Sequence, residues 1–286
     1  MFGVEYKEVN IVKLKNTTSN VDNGRAYLFD HFSLQVMMSD MRFSRNALRP
    51  GQVIPDIAVT MDDGRKVSLY ELAKDKPLLL VTASITCPMT ISVMPLLKEL
   101  QQNRGNKLRI AFVYVREAHP GENYPQPKTL EQKRCNALDF KNNYAIDAPV
   151  IIDELDGPLH KILDLKPNSV HLIGVNGKIL LQSLWAGDKK ILGDAIYKAV
   201  DGGSLSNTFS QSMLLPFFRG AGFMHETLKL AGDRSYKELM FGAPPIWLLS
   251  RLTSLFGFVP KKNRGGVSVM LLLGLLVLAG VYLAGI

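Results

Sequence analysis

The sequence predicts an α/β fold in which helices flank a mixed β-sheet, followed by a C-terminal transmembrane helix. Continuous apolar runs at Leu78–Thr82 and Leu108–Val115 are typical of strands covered on both faces. Segments with helical spacing alternate with these runs, and Asn176-Gly177 between two further apolar segments predicts a β-hairpin. Such alternation is typical of helices packed on a sheet. The last segment, Val267–Ile286, contains no charged residue.

The composition excludes several classes of protein. Hydrophobic residues make up 47% and charged residues 21% of the 286 residues, which is enough for a core and excludes a wholly disordered chain. Two cysteines cannot form a disulfide scaffold or a four-cysteine zinc site, and the five histidines show no metal-ligand spacing. We therefore expect no metal, no bound cofactor and reduced thiols.

Each element of the α/β region follows from a local pattern. The segments Ile57–Thr60 and Lys66–Leu69 flank Asp63-Gly64, which predicts a tight hairpin, and a short helix over Leu69–Lys74 follows. The remaining predicted elements are, in order, strand Leu78–Thr82, helix Thr90–Gln102, strand Leu108–Val115, helix Thr129–Asn142, strand Pro149–Ile152, helix Pro158–Leu165, strands Val170–Val175 and Lys178–Leu184, and helix Asp188–Val200, which ends at Gly202-Gly203.

These patterns divide the chain into an N-terminal segment (1–47), the α/β domain (48–203), a basic juxtamembrane region (204–266) and a membrane helix (267–286). Eight Lys/Arg stand against three Asp/Glu in the third region, which favours contact with anionic lipid, and no nucleic-acid motif accompanies the charge. The apolar segment Ile246–Phe258 predicts a helix that either lies on the membrane surface or packs against the globular domain.

The last twenty residues are long enough to cross a bilayer. A helix of this length is about 30 Å long, which matches the hydrocarbon thickness. Lys261, Lys262 and Arg264 precede it, so the positive-inside rule predicts a single-pass C-terminal anchor with the rest of the chain on the cytoplasmic side. The N-terminal sequence has no apolar stretch typical of a secretory signal.

Cys87 is the first candidate for chemistry. The segment Ser84–Pro88 lies where a buried strand is predicted to end and a helix to begin. A thiol at a helix N-terminus meets the positive end of the helix dipole, so we expect a thiolate near neutral pH and a reactive cysteine. An isolated cysteine that merely packs in the core is the alternative.

This segment resembles the thioredoxin superfamily. Cys87-Pro-Met-Thr90 stands where that family carries CxxC, and Pro95 follows at the position of its helix-kinking proline. Thr90 replaces the second cysteine, and Ser169 occupies the place of the family's cis-proline, two residues after Pro167. The resemblance implies a thioredoxin-like fold with monothiol chemistry.

Two spaced motifs resemble the iodothyronine deiodinase family over about residues 48–200. Ser84, Thr86 and Cys87 match its Ser-x-Thr-Sec-Pro segment, with sulfur in place of selenium, and the residues from Tyr114 to Pro120 match its Tyr-x-x-Glu-Ala-His-Pro segment. Pro127 stands where many members carry a further histidine. The resemblance implies reductive dehalogenation of iodinated or other halogenated aromatic compounds at a cysteine, with an external thiol such as thioredoxin or glutathione as reductant.

The same resemblance implies a role for each matched residue. Cys87 would be the nucleophile, and Ser84 or Thr86 would hydrogen-bond the thiolate or the substrate. His119 would supply the proton, with Glu117 and Tyr114 orienting it or relaying protons. Cys135, on a predicted helix, either resolves an intermediate on Cys87 as a disulfide or has no redox role, and sequence leaves both open.

Two other functions remain compatible with the sequence. The first is a peroxiredoxin-like thiol peroxidase, in which Cys87 attacks a peroxide; Ser84 matches that family's hydroxyl residue, whereas Leu80 stands where a proline is usual. The second is a non-enzymatic thioredoxin-like domain that binds a partner at the membrane, its thiol being incidental.

Overall fold

The computed structural model describes residues 27–201 and 208–283, and in them an eight-stranded sheet forms the centre of the molecule. Residues 1–26 of the N-terminal segment, the helix stop at Gly202-Gly203, residues 204–207 and the last three residues of the expected membrane helix lie outside the described residues. The strands are β1 Ala58–Met61, β2 Lys66–Ser68, β3 Leu78–Ala83, β4 Arg109–Tyr114, β5 Val150–Ile152, β6 Val170–Ile173, β7 Ile179–Ser183 and β8 Thr208–Ser210.

The strand order in space is β2-β1-β5-β4-β3-β6-β7-β8. Strands β3, β4 and β5 are parallel, whereas β6 runs antiparallel to β3 and β7 antiparallel to β6. With a helix following β3, this is the thioredoxin-like arrangement that the sequence predicts. Strand β8 pairs in parallel with β7 and was not predicted, because three residues carry no period.

The helices confirm the predicted elements and add others. Ser68 accepts a hydrogen bond from the Tyr70 amide at the start of the short second helix, and Thr129 accepts one from Gln132 at the start of the fourth. The helices are α1 Leu34–Asp40, α2 Leu69–Ala73, α3 Pro88–Arg104, α4 Leu130–Asn143, α5 Pro158–Ile162, α6 Lys189–Val200, α7 Leu214–Ala231, α8 Asp233–Gly242, α9 Pro244–Leu255 and α10 Lys261–Leu283.

Strand β3 shows why its apolar run is continuous. Successive side chains of a strand point to opposite faces, and Leu79, Val81 and Ala83 pack in a core with α3, α4 and α6. Leu78 and Leu80 pack on the other face with residues of α2 and α5. Because both faces are covered, every residue of β3 is buried.

The parallel register of β3 and β4 brings two loops to one edge of the sheet. Ala83, the last residue of β3, lies opposite Tyr114, the last residue of β4. The chain after each strand therefore leaves the sheet at the same level, as carboxyl ends of parallel strands do. Residues 84–87 and 115–120, which carry the two motifs, meet at this edge.

The C-terminal helices pack against the sheet domain. Helix α7 lies so close to α3 that a Cβ atom on Gly220 would stand 2.3 Å from the Met89 sulfur. Helix α9 buries Leu249, Ser250 and Thr253, and it packs against α7, α8 and α10. The segment thus packs on the other C-terminal helices, whereas Leu255 and Phe258 are 70% and 84% exposed, so both alternatives for Ile246–Phe258 stay predictions.

Helix α10 has a packed beginning and an exposed continuation. Gly265 and Ser268 are buried, whereas Met270 is 74% exposed and the described residues after it are largely exposed. By length and composition, Lys261–Tyr282 is able to cross a membrane. A Cβ atom on Gly265 would stand 2.0 Å from the Phe218 carbonyl oxygen of α7, so this position needs glycine.

Neighbouring glycines of α10 give a matched test of this packing. In Gly265→Ala the new methyl group collides with the α7 backbone, and we expect a loss of about 1–3 kcal/mol in the free energy of unfolding. In Gly266→Ala nothing lies within 4 Å, and higher helix propensity should leave stability unchanged or raised by up to ~1 kcal/mol. Unfolding of both variants in detergent micelles measures the difference, and equal stabilities would contradict the close α7–α10 contact.

Candidate active site

Cys87 lies at the start of α3, as the sequence predicts, but its thiol is buried. It is the N-cap residue of the helix and is 2% exposed. Burial raises the pKa of Cys87 to about 11, although hydrogen bonds from Thr90 and Met89 act in the opposite direction. The expectation of a thiolate near neutral pH is therefore wrong for this structure, because loss of hydration outweighs the helix N-terminus.

Thr90 is the residue that contacts the thiol in place of a second cysteine. Both its hydroxyl and its backbone amide hydrogen-bond to the Cys87 sulfur and lower the pKa of the thiol. Ser84 and Thr86, expected to hold the thiolate or the substrate, instead face the second loop. Sequence comparison with CxxC marks the Thr90 position, but only the helix geometry shows this contact.

A buried carboxyl, Glu117, joins the two loops. Its two oxygens accept hydrogen bonds from the Thr86 hydroxyl at 2.7 Å, the Tyr114 hydroxyl at 2.6 Å and the Asn136 side-chain amide at 3.1 Å. Burial raises the pKa of Glu117 above its usual range, against the effect of these three donors. Gln126 also pairs with the Glu117 backbone in both directions, at 2.9 and 2.8 Å.

Backbone contacts complete the junction between the loops. The Ala118 amide donates to the Ser84 hydroxyl at 3.3 Å, and the His119 amide donates to the Thr86 hydroxyl at 3.2 Å. The Ile85 amide donates to the Tyr114 hydroxyl at 3.3 Å. The matched residues of both motifs thus form one network, which holds the backbone of His119 beside the Cys87 loop.

A narrow apolar cavity of about 80 Å³ lies beside the thiol. Three side chains on its wall carry titratable groups: Cys87, His119 and Asp40. The other lining residues are apolar or amphipathic and come from the N-terminal segment, the sheet domain and the C-terminal helices: Phe32, Met37, Met41, Pro88, Met89, Ala118, Pro167, Trp185, Phe217, Met224, Leu239 and Ile246. None of the described residues that line the cavity is cationic.

His119 faces this cavity as an uncharged ring. Its side chain is 8% exposed, its ring centroid lies 4.3 Å from that of Phe32, and Nδ1 has no hydrogen-bond partner among the described residues. Burial lowers the pKa of His119 to about 4. The imidazole is therefore neutral at pH 7 and not the proton-bearing cation expected from the sequence. The indole Nε1 of Trp185 is buried and likewise without a partner.

Asp40 is a site residue that sequence reasoning missed. It belongs to α1, which has no fully buried residue, but its side chain lines the cavity. Burial of the carboxyl raises the pKa of Asp40 to about 7, against the opposing effect of Arg116 and Lys166. The charge of Asp40 also raises the pKa of Cys87. No sequence signal marks Asp40, because it reaches the site only through tertiary packing.

The N-terminal segment is held over the cavity by polar contacts. Glu238 of α8 accepts from the His31 ring at 2.6 Å and from the Phe32 amide at 2.9 Å. The Lys166 ammonium donates to the Ser39 carbonyl at 2.8 Å. These contacts hold α1 beside the cavity, although none of its residues is fully buried.

The two cysteines do not form a disulfide in this structure. Both are free, Cys87 being buried and Cys135 exposed on α4. Asn136, the next residue on that helix, turns inward to Glu117, whereas the Cys135 side chain faces solvent. A resolving role for Cys135 therefore stays a prediction.

Comparisons with known proteins found solved structures of low sequence identity to this chain. No family model matches the chain. Solved structures similar to it include an uncharacterized conserved protein from Geobacillus kaustophilus (14% identity, 56% of this chain and 87% of that chain, TM-score 0.45). Others are the thioredoxin domain of a thiol-disulfide oxidoreductase from Bacteroides vulgatus (19%, 54% and 99%, TM-score 0.42) and a thiol-disulfide oxidoreductase from Bacteroides fragilis (16%, 46% and 89%, TM-score 0.36). The fold assignment rests on the strand order and on the helix after β3, not on these similarities.

The burial of Cys87 predicts which thiol reacts first with a water-soluble reagent. We expect iodoacetamide at pH 7.5 to alkylate the exposed Cys135 about a hundredfold faster than Cys87, because alkylation requires a hydrated thiolate. Mass spectrometry of tryptic peptides over time gives both rates, with Cys135→Ser as the control for peptide assignment. Faster labelling of Cys87 would show that the cavity is open in solution.

Replacement of Asp40 tests its place beside the thiol. The Asp40 carboxylate disfavours the Cys87 thiolate, so Asp40→Asn should lower the pKa of the thiol. Alkylation of Cys87 should then be about two- to tenfold faster between pH 8 and 9.5, where Asp40 is ionised in the native chain. The matched control is Asp30→Asn, an exposed carboxyl of the same segment. Identical pH profiles for Asp40→Asn and the native chain would place Asp40 away from Cys87.

Proposed function

We propose that the protein is a thiol-dependent oxidoreductase that removes a halogen from a small aromatic compound. The observation that carries the proposal is that Cys87 and His119 line the same apolar cavity, and that Nδ1 of His119 has no hydrogen-bond partner among the described residues. A nucleophile and a proton carrier are the two groups that reductive dehalogenation requires. The two matched motifs, which resemble those of the iodothyronine deiodinases, support the same reaction.

In the proposed step, the Cys87 sulfur attacks the halogen and the proton of the thiol ends on the ring carbon. His119 accepts that proton on a ring nitrogen as the sulfur–halogen bond forms. It returns the proton to the carbon as the carbon–halogen bond breaks. The products are the dehalogenated arene and a cysteine sulfenyl halide, so the aromatic carbon is reduced and the sulfur oxidised by two electrons.

This relay suits the protonation states that burial imposes. A thiol with a pKa of about 11 and an imidazole with a pKa of about 4 are both neutral at pH 7. The reaction begins and ends without net charge in an apolar cavity, where an isolated ion would be costly.

An external thiol completes the cycle. A first thiol displaces halide from the sulfenyl halide and forms a mixed disulfide with Cys87, and a second thiol releases Cys87 as a thiol and leaves as a disulfide. Both electrons thus come from the external reductant, such as glutathione or a thioredoxin. Thr90 in place of a second cysteine is consistent with an intermolecular reductant.

The cavity must widen to admit an aromatic ring. Its 80 Å³ is less than the ~150 Å³ of a protein cavity that binds benzene. Met37, Met41 and Met89 line it, and methionine side chains adapt readily to a ligand.

We propose that the protein is anchored by α10, with the α/β domain on the cytoplasmic side, because basic residues precede the apolar stretch.

Removal of the proton carrier tests the proposed reaction. We expect His119→Gln to lower turnover of an iodinated phenol, with dithiothreitol as reductant, by about a hundredfold or more, because the amide cannot carry the proton. The matched control is His225→Gln, a histidine of α7 that does not line the cavity and should keep native turnover. Released iodide is measured for the full chain in detergent micelles.

Three results would contradict the proposal. Undiminished turnover in His119→Gln would remove the proton-carrying role. Consumption of hydrogen peroxide by the native chain, without release of iodide from the phenol, would favour a thiol peroxidase instead. A chain inactive on both substrates would favour a binding domain in which the thiol is incidental.

A further inference from the structure

Helices α7 and α10 run antiparallel in close contact. A Cβ atom on Gly222 would stand 1.9 Å from the Lys261 carbonyl oxygen, and one on Gly265 would stand 2.0 Å from the Phe218 carbonyl oxygen. A step of four residues towards the C-terminus of α10 therefore matches a step of four residues towards the N-terminus of α7. This register places Leu214 level with Val269 of α10.

The charges of both helices end at the same level. Arg264 is the last charged residue of α10, and the register places it level with Arg219 of α7. On the far side of this level, α10 continues as an uncharged apolar helix. The part of α7 on that side, together with its N-cap residue, is the uncharged segment Met213–Phe218, here called the α7 apolar end. Two aligned helices with a shared basic level and uncharged ends match the boundary between lipid headgroups and acyl chains.

The α7 apolar end is exposed on its outer side. Leu214 is 70% and Leu215 is 74% exposed, and Met270, near the same level of α10, is 74% exposed. Adjacent large apolar side chains on a protein surface mark an interaction site. Their continuity with the candidate membrane helix identifies the partner as the lipid bilayer.

The inner side of the same segment forms a wall of the cavity. Phe217 lines the cavity beside Met89 and Trp185, and Pro216 packs against Gly187, where an added Cβ atom would stand 3.3 Å away. One turn of α7 therefore has the cavity of Cys87 on one side and the expected level of the lipid on the other.

We propose that the α7 apolar end is immersed in the bilayer surface and that the cavity receives its substrate laterally from the lipid. The substrate class is then an apolar halogenated arene dissolved in the membrane. This inference deepens the proposed function and rests on it and on anchoring by α10. Partition into lipid concentrates such a compound beside the cavity, by a factor that grows with its apolar area.

The experiment separates access to Cys87 from the chemistry at Cys87. The full chain, carrying Cys135→Ser, is reconstituted in phosphatidylcholine vesicles and treated with lipid-dissolved N-hexylmaleimide or with water-soluble iodoacetamide. In Leu214→Glu/Leu215→Glu, two carboxylates at the lipid boundary should withdraw the α7 apolar end from the acyl region, since charged groups are costly there. We expect modification of Cys87 by the maleimide to fall about tenfold, a change of ~1.4 kcal/mol, with the iodoacetamide rate unchanged within about twofold.

Leu130→Glu is the matched control, since Leu130 is 43% exposed on α4 and belongs to neither helix. It should keep both rates. A second measurement uses Trp247→Phe, which leaves Trp185 as the single tryptophan of the chain. Brominated lipid should quench the fluorescence of Trp185, which lies beside Phe217 on the cavity wall. Equal maleimide rates in the native and double-variant chains, or no quenching of Trp185, would overturn the inference. Conversion of a dimer into monomers by the double variant would also overturn it, because the α7 apolar end would then contact a second copy of the chain.

Failure of the proposed function has a different signature. If the double variant slows the maleimide reaction as expected but the native chain releases no iodide from a lipid-dissolved iodophenol, lateral access stands and dehalogenation fails. If iodide is released at the same rate in the native and double-variant chains, dehalogenation stands and lateral access fails.

Discussion

The buried carboxyl of Glu117 connects three elements on which the site depends. It accepts hydrogen bonds from Thr86 after β3, from Tyr114 at the end of β4 and from Asn136 on α4. A buried carboxyl without such donors would be strongly destabilising, so the sequence must supply all three together. With them satisfied, the loops after β3 and β4 keep one relative position, and the backbone of His119 is held beside that of Thr86. Most residues of the second motif thus act by positioning, and His119 alone turns its ring into the cavity with a free nitrogen.

Exclusion of water determines the chemistry that remains possible. A helix N-terminus favours a thiolate, but at Cys87 burial exceeds that effect and raises the pKa of the thiol. The same exclusion lowers the pKa of His119. A site of two neutral partners favours proton transfer that is coupled to bond formation over attack by a free thiolate. Asp40 adds a charge whose state changes near pH 7, so the site retains one group that responds to physiological pH.

The cavity is a product of the whole chain. The sheet domain supplies Cys87 and His119, but the N-terminal segment supplies Phe32 and Asp40, and the C-terminal helices supply Phe217 and several other apolar walls. Helix α7 packs against α3 on one side and α10 on the other, through glycines that allow the backbones to approach. Helix α10, which is long and apolar enough to cross a membrane, is therefore connected to the candidate active site through a single helix, α7.

The sequence by itself determined the elements whose signals are local. The apolar run of β3, the Asn176-Gly177 turn and the uncharged C-terminal stretch each predicted an element that the structure contains, because periodicity and turn residues act between near neighbours. The motifs also placed Cys87 at the start of its helix. Only the tertiary structure decided that α1 and α7 close the cavity, that Asp40 belongs to the site and that both Cys87 and His119 are neutral. Those properties depend on burial and on contacts between residues far apart in the chain, and no local pattern encodes them.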